Sequence, residues 1–502
     1  MREARETRGK AKEAPPWWGV AFDAHGDAVD ERQGDRVAGA AREADVRHLV
    51  VLAHTAHHEP ELAERIDARC RALFAQADVT DGVGLVGVRW PSMCFARPED
   101  GRARRLTDTD VAGLHHVFPE GGDTLTGLLG LLGERPLRNG ALDDVGIALR
   151  RLVEQPLDTP LHAYGTDLGA NVLPQTDPAM LIDSPTQVCE GFAEALDVAR
   201  QETERVESRS PERFEEAHTG SGAPDVSEHG TLSESGTAGP RPADDPTERL
   251  SRPESLAPSE RPLRDPHAER RPDRVWDGAH QLLCEVTSYA MRRHAGLIGE
   301  RALAPLLRTL GEGLPDTRIH LVGHGAGARL VAYAVRGLGP DERVASLCLF
   351  QAALSHFAFA EHLPQLSGGG ALAGLHRRVT GPVVCCYSHH DLELGLFFPL
   401  ACRRIGDGAL LSGAGRTWGA LGYDGIRGVD GSPALTLADA LTEGALPSSG
   451  YVGVDASELI RAGGPPRGAH DDVFHEDLVR LVGAAGGLTQ AAELRPGRAG
   501  TP

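Results

Sequence analysis

The sequence predicts an α/β protein with a mostly parallel sheet covered by helices on both faces. Three observations lead there. Short apolar runs of strand length alternate with stretches of helical periodicity, an order that makes β-α-β units. The runs are apolar enough to be buried on both faces, as strands of a covered parallel sheet are. A Gly-rich turn, Gly323-His324-Gly325-Ala326-Gly327, stands directly between one such strand and one such helix.

The elements follow in order. A charged, Pro-containing tail (1–15) precedes three stretches of strand character, 17–22, 48–53 and 83–90, each bounded by turn-forming or charged residues. Between the second and third, 60–75 carries apolar residues at helical spacing, so these strands are expected to pair in parallel. Residues 104–199 mix helical patterns, such as 143–154 and 186–200, with Gly- and Pro-rich breaks, and are expected to form a helical cap. From 201 to 273 the composition turns to Glu, Ser, Pro, Arg, Gly and Thr with almost no aliphatic run. Such a segment cannot bury enough apolar surface to offset its chain entropy and is expected to be a long disordered insertion, solvated and acid-leaning. Beyond it, 279–295 and 300–310 read as helices, 318–322 as a strand and 326–336 as a helix; 344–350, 382–387 and 451–454 complete the strands. One domain is thus expected from 16–200 and 274–488, interrupted by 201–273 and followed by a tail, 489–502.

A chain of 502 residues, 40% hydrophobic, can bury a large core. Its formal net charge of -20 opposes binding to a phosphate backbone, which needs clustered cations, so nucleic acid is not an expected partner. No run of about 18 apolar residues is present to span a bilayer, and the N-terminus lacks the apolar segment of a secretion signal. No membrane partner is expected, and the expected address is the cytoplasm. The eight cysteines, with Cys348, Cys385 and Cys386 inside apolar runs and no CxxC pair, read as small buried hydrophobes.

The turn at 323–327 has the strand-turn-helix context of a G-x-S-x-G nucleophile elbow, the mark of the α/β-hydrolase fold. Only its centre differs: Gly325 stands where a serine is expected. In that fold the triad partners follow in the order acid, then histidine. Asp391 closes the strand-turn PVVCCYSHHD, and His470 lies in the loop GAHDDVFH after the last strand, so order and context both fit.

These pieces, with HLVVLAHTA, VGLVGVRWPS, AHQLLCEVTSYAMRRHAGLIG and LCLFQAALSHFAF, resemble a family of uncharacterised actinobacterial and fungal α/β-hydrolase-like proteins. The likeness covers most of the chain apart from the tail and the insertion. In that family the elbow usually reads G-H-S-x-G, and the strand before the oxyanion loop ends in a His-Gly-Trp-like sequence. The resemblance implies an elbow at Gly325 and an Asp391-His470 pair; the expected pocket is bounded by Gly325, Asp391, His470 and the loop 54–57, with His324 in it. It also implies an oxyanion hole built from the backbone N–H of Ala326 and a second donor near Thr55 and Ala56. This chain departs from the pattern at Gly325 and at His54-Thr55. Deleting the nucleophile of a serine hydrolase costs roughly a million-fold in turnover, so ordinary acyl-enzyme chemistry is expected to be absent.

Two rivals exist for the turn and its surroundings. Gly323-x-Gly325-x-x-Ala328 also satisfies a dinucleotide fingerprint and would imply NAD(P) binding, but the next strand ends in Gln351-Ala352-Ala353 and not in an acid for the ribose. The histidines at 54, 57, 58, 389, 390, 470 and 475 could suggest a metal, yet no H-E-x-x-H spacing occurs, and the bland reading is preferred. Neither a cofactor nor a metal is therefore expected. Asp391 and His470 could equally pair for stability alone. The preferred expectation is a hydrolase homologue without turnover, binding a small acyl- or ester-like ligand or a protein partner. The alternatives are weak hydrolysis by His470-activated water and a scaffold acting through the insertion.

Overall fold

Eight strands form one sheet in the order β1-β3-β2-β4-β5-β6-β8-β7, and every adjacent pair is parallel. They are β1 (Trp17–Ala21), β2 (His48–Ala53), β3 (Val83–Arg89), β4 (Arg318–His324), β5 (Ser346–Phe350), β6 (Pro382–Tyr387), β7 (Ala434–Thr436) and β8 (Gly450–Asp455). This is a computed structural model, and it describes residues 14–54, 60–77, 79, 82–95, 106–154, 161–170, 172, 177–208, 272–364, 366–404 and 419–488. The expected α/β architecture with a parallel sheet is present.

The strands sit where the apolar runs predict them, because side chains alternate faces and both faces are covered. On one face Leu49, Val51, Val86, Leu321, Leu349 and Val383 pack under α1 (Gln33–Glu43) and helices that follow in the second half of the chain. On the other face Val50, Leu85, Val322, Phe350, Val384 and Val452 pack against α2 (Pro60–Gln76) and the C-terminal helix. Cys348, Cys385 and Cys386 lie inside these layers as buried free thiols, and burial raises each one above the ordinary thiol value. Phe397 and Phe398 are likewise buried.

The helical region between β3 and β4 holds α3 (Asp108–Val117), α4 (Gly122–Glu134), α5 (Ala141–Glu154), α6 (Pro185–Ser208) and α7 (Pro272–Ile298). Thr107 caps α3 through a reciprocal pair of bonds with Asp110, satisfying two amides the first turn leaves open. Leu114, Leu125, Leu128, Val145 and Leu149 turn inward and join the core around α7.

Three features correct the sequence expectations. The helix expected to end at residue 200 continues to Ser208, so the first eight residues of the stretch expected to be disordered are helical. The remainder of that stretch up to 271 lies outside the described residues, as do the tails 1–13 and 489–502. The helix expected over 279–295 begins at Pro272 and passes through a π-helical turn, Gly299–Leu303, into α8 (Ala304–Gly313) without a break. The short edge strand β7 was not foreseen; three residues are too few to carry a periodicity.

The chain divides into two units, residues 1–200 with 271–502, and residues 201–270. The first contains the whole sheet; of the second only the last turns of α6 are described. Among the described residues no helix is long and apolar enough to cross a membrane.

Candidate functional site

The site is assembled where β4, β6 and β8 end, at the carboxyl end of the parallel sheet. β4 runs to His324, the chain turns at Gly325, and α9 (Ala326–Arg336) begins at once. Gly325 has φ 57° and ψ -123°, a conformation that L side chains rarely adopt. The turn is tied to the end of β5 by two bonds, Gly325 N–H to the Phe350 carbonyl at 3.1 Å and Ala353 N–H to the Gly325 carbonyl at 3.1 Å.

The flanking glycines are there for clearance. A Cβ on Gly323 would stand 2.4 Å from the Ala328 Cα, and one on Gly327 would stand 2.2 Å from the Ala53 carbonyl oxygen. Close docking of α9 onto β4 and β2 therefore accounts for the G-x-G-x-G spacing without a bound phosphate. Among the described residues the amide of Ala326 meets no acceptor, in keeping with its place in the first turn of a helix.

Asp391 and His470 are brought together by the loops after β6 and before the last helix. A bridge pairs Asp391 with Gly468, and Ala469 N–H donates to the His390 carbonyl at 2.9 Å. His470 Nδ1 then donates to Asp391 Oδ2 at 2.7 Å, with both side chains almost wholly buried. The second carboxylate oxygen, Oδ1, accepts from the Leu394 amide at 3.0 Å.

Three residues of the site, Gln351, Glu393 and Arg467, were missed by sequence reasoning. Gln351, noticed there only for not being acidic, is fully buried at φ 42° and donates from Nε2 to Asp391 Oδ2 at 3.1 Å and to the Ala469 carbonyl at 2.8 Å. It fixes both loops to the end of β5. Glu393 approaches the outer face of the imidazole, its Oε1 3.9 Å from His470 Nε2, while its Oε2 accepts from Arg467 Nε. Arg467 also pairs with Asp471 at 3.1 Å. The only available signal was the spacing of Arg467 and Asp471, four residues apart in a loop, which carries no meaning outside a helix.

His470 thus lies between two carboxylates. Burial works against its charge, but Asp391 and then Glu393 outweigh burial and push its pKa up to about 9. At neutral pH it is an imidazolium, with both ring nitrogens protonated. Burial pushes the Asp391 carboxyl up, against the pull of His470. Burial also acts to raise Glu393, yet Arg467 and His470 hold it below the ordinary range. Glu285 on α7, fully buried and accepting from Gln281 Nε2 at 2.8 Å, is pushed up to about 8 by burial and by the charge of Glu393.

The ring centre of His324 lies 4.9 Å from that of His470, and its Nε2 is 2.8 Å from the His470 carbonyl. Burial first, and the neighbouring His470 second, drive its pKa down to about 3. It is neutral, so Nε2 must be the donor in that bond and Nδ1 the ring's acceptor nitrogen. His54 follows β2 beside them, and its carbonyl accepts from Trp90 Nε1 at 3.0 Å. Thr55 and Ala56, the expected second oxyanion donors, lie outside the described residues, as do His57 and His58. His475 is drawn away to Asp472 at 2.9 Å, and His389 faces Tyr423 at 5.4 Å between ring centres. Among the described residues no group of three His, Cys, Asp or Glu is placed to hold a metal.

Beside His324 and His54 opens a cavity of about 290 Å³, between α2, the sheet and α10 (Glu476–Gly486). Its walls are apolar, with Ile66 and Phe74 on one side and Val479 and Val482 on the other.

The elevated pKa of His470 has a consequence for stability. The folded value lies above the ordinary 6.5, so the stabilisation is complete below pH 6.5 and is lost as the pH rises towards about 9. Urea unfolding is expected to show stability falling by roughly 2–3 kcal/mol over that window, with the loss much reduced in His470→Gln. Equal pH slopes in the two proteins would refute the assignment.

The fold and the site together define a parallel α/β protein with a glycine turn after a central strand and a buried Asp-His pair at the same, carboxyl end of the sheet. Compared with protein-family models, with curated proteins and with solved structures, the chain matches none.

Proposed function

We propose that this chain is a cytoplasmic α/β-hydrolase-fold protein that has lost turnover and binds a small acyl- or ester-like ligand at its former active site. The sheet order supports the fold: the turn follows a central strand, the acid comes two strands later and the histidine follows the last long strand, in the chain order of that fold. One observation carries the loss of turnover. The backbone at position 325 keeps a strained elbow conformation, φ 57° and ψ -123°, around a residue with no nucleophilic atom, while the Asp391-His470 pair at 2.7 Å persists.

Water activation by His470 is opposed by its proton. A general base must be unprotonated near the working pH, and an imidazole held between Asp391 and Glu393 is not. Dinucleotide binding is opposed by Gln351, which occupies the end of β5 and spends its amide on Asp391 and Ala469. The apolar cavity next to the site, which His54 and His324 line and Gly325, Asp391 and His470, contrary to the sequence expectation, do not, favours a small ligand over a protein partner.

The purified protein is expected to leave a fluorophosphonate probe unreacted and to hydrolyse a panel of short acyl esters no faster than buffer. Esterase activity that disappears in His470→Ala would sink the proposal.

A further inference from the structure

We infer that the ligand of the former active site carries a carboxylate and that Arg292 on α7 receives it. This rests on the binding reading above and names the ligand's charged group.

Two buried arginines differ in how their charge is met. Arg329 and Arg292 are 2% and 6% exposed. Arg329 is paired with Asp167. Among the described residues Arg292 forms no ion pair, and its Nη2, shut off from solvent, has no hydrogen-bond partner. Its Nη1 donates to Cys402 Sγ at 3.4 Å, and the Phe398 ring centre lies 4.6 Å from its Cζ. Neither neighbour supplies a full negative charge. Burial pushes the Cys402 thiol up, which keeps it protonated at neutral pH, and the ring offers only the partial charge of its face. A guanidinium does not lose its proton in proteins, so the cation stays and is costly to bury alone.

The acids nearby are already spent. Gln281, Glu285 and Arg292 are buried on one face of α7, four and then seven residues apart. Burial first and Glu393 second push the Glu285 carboxyl up to about 8 against the pull of Arg292, so Glu285 is mostly neutral at pH 7. It accepts from Gln281 instead. Asp391 is bound to His470, and Glu393 to Arg467.

The free edge of Arg292 is close to the site. Phe398, beneath the guanidinium, packs with Ala353 and Leu394 in one buried cluster. Ala353 N–H donates to the Gly325 carbonyl, and Leu394 N–H donates to Asp391 Oδ1. Through Phe398, Arg292 is therefore one side chain removed from residues bonded to the turn and to the Asp-His pair. A carboxylate matches both the donor edge and the charge of a guanidinium, whereas a neutral carbonyl leaves the cation unmatched. The ligand class is a short acid that carries its ester or acyl group at the other end.

The test is calorimetric titration of the full chain at pH 7 with monomethyl succinate, dimethyl succinate and acetate. Monomethyl succinate is expected to bind about thirtyfold more tightly than the uncharged diester. Arg292→Met is expected to bind the two esters alike, within about threefold, and to unfold in urea at a midpoint equal to or above the parent's, because it removes a buried charge that has no partner. A structural arginine would give the opposite stability result, and a midpoint clearly below the parent's overturns the inference.

Equal binding of the two esters by the parent overturns the carboxylate assignment and leaves the binding reading standing. If neither ester binds, acetate decides. Acetate that binds the parent and not Arg292→Met keeps the anion site and removes the ester-binding reading; acetate that does not bind removes both.

Discussion

Gly325→Ser is expected to convert an inert protein into one that a fluorophosphonate labels, slowly at pH 7 and roughly fiftyfold faster at pH 9. The parent has no side-chain oxygen at position 325, so its rate is background. The variant places a hydroxyl on a backbone already in the elbow conformation, and the histidine that would accept its proton in a hydrolase is oriented by Asp391 through Nδ1. The pH dependence follows from His470. With a pKa of about 9, only about one imidazole in a hundred can accept the serine proton at pH 7, and half can at pH 9.

Glu393 supplies part of that elevation, so Gly325→Ser/Glu393→Gln is expected to label faster than Gly325→Ser at neutral pH, its profile shifted to lower pH. The amide oxygen of the introduced glutamine can still accept from Arg467, which keeps the loop in place. Serine in the left-handed region also strains the chain, and Gly325→Ser is expected to lose about 1–3 kcal/mol of stability. If both variants stay unlabelled across pH 6–10 while remaining folded, the turn is not a hydrolase elbow.

Asp167→Ala is expected to destabilise the protein by about 3–5 kcal/mol, the largest single effect on stability anticipated outside the site. Arg329 lies on α9 just after the elbow and is only 2% exposed. Its guanidinium pairs with Asp167 Oδ1, donates to the Tyr164 carbonyl at 2.7 Å and to the Tyr333 hydroxyl at 3.1 Å, and lies 4.7 Å from the Tyr333 ring centre. Asp167 Oδ2 meanwhile accepts from the Ser355 amide at 2.6 Å.

Removing the carboxylate leaves a buried cation without its counter-charge. Replacing both partners, as in Asp167→Leu/Arg329→Met, removes the charge and its desolvation cost together and is expected to restore most of the loss. Urea denaturation midpoints measure both. A single-variant loss under about 1 kcal/mol would mean that the pair is solvated.

Much of the fold was legible because a strand buried on both faces must be apolar throughout. HLVVLA, VGLVGVR, RIHLVGH and PVVCCY each became a strand of the sheet for that reason. The turn at 323–327 was legible because only small residues permit α9 to dock so closely on β2 and β4. The Asp391-His470 pair was named from chain order, from the strand-end and loop context of the two residues and from the family resemblance, and the two side chains do meet. Helix limits were not: α6 continues to Ser208 and α7 starts at Pro272, because local composition at those ends is polar and carries no apolar period.

By itself, then, the sequence determined the parallel α/β class, the glycine at the turn, the absence there of a nucleophile, and the two residues that pair behind it. Only the tertiary structure decided what surrounds that pair and so how tightly it holds its proton. Glu393 and Arg467 are 74 residues apart, and Gln351 and His324 reach the histidine loop from separate strands. The charge on an imidazole depends on what burial and distance place around it, and neither quantity is written in the order of residues along the chain.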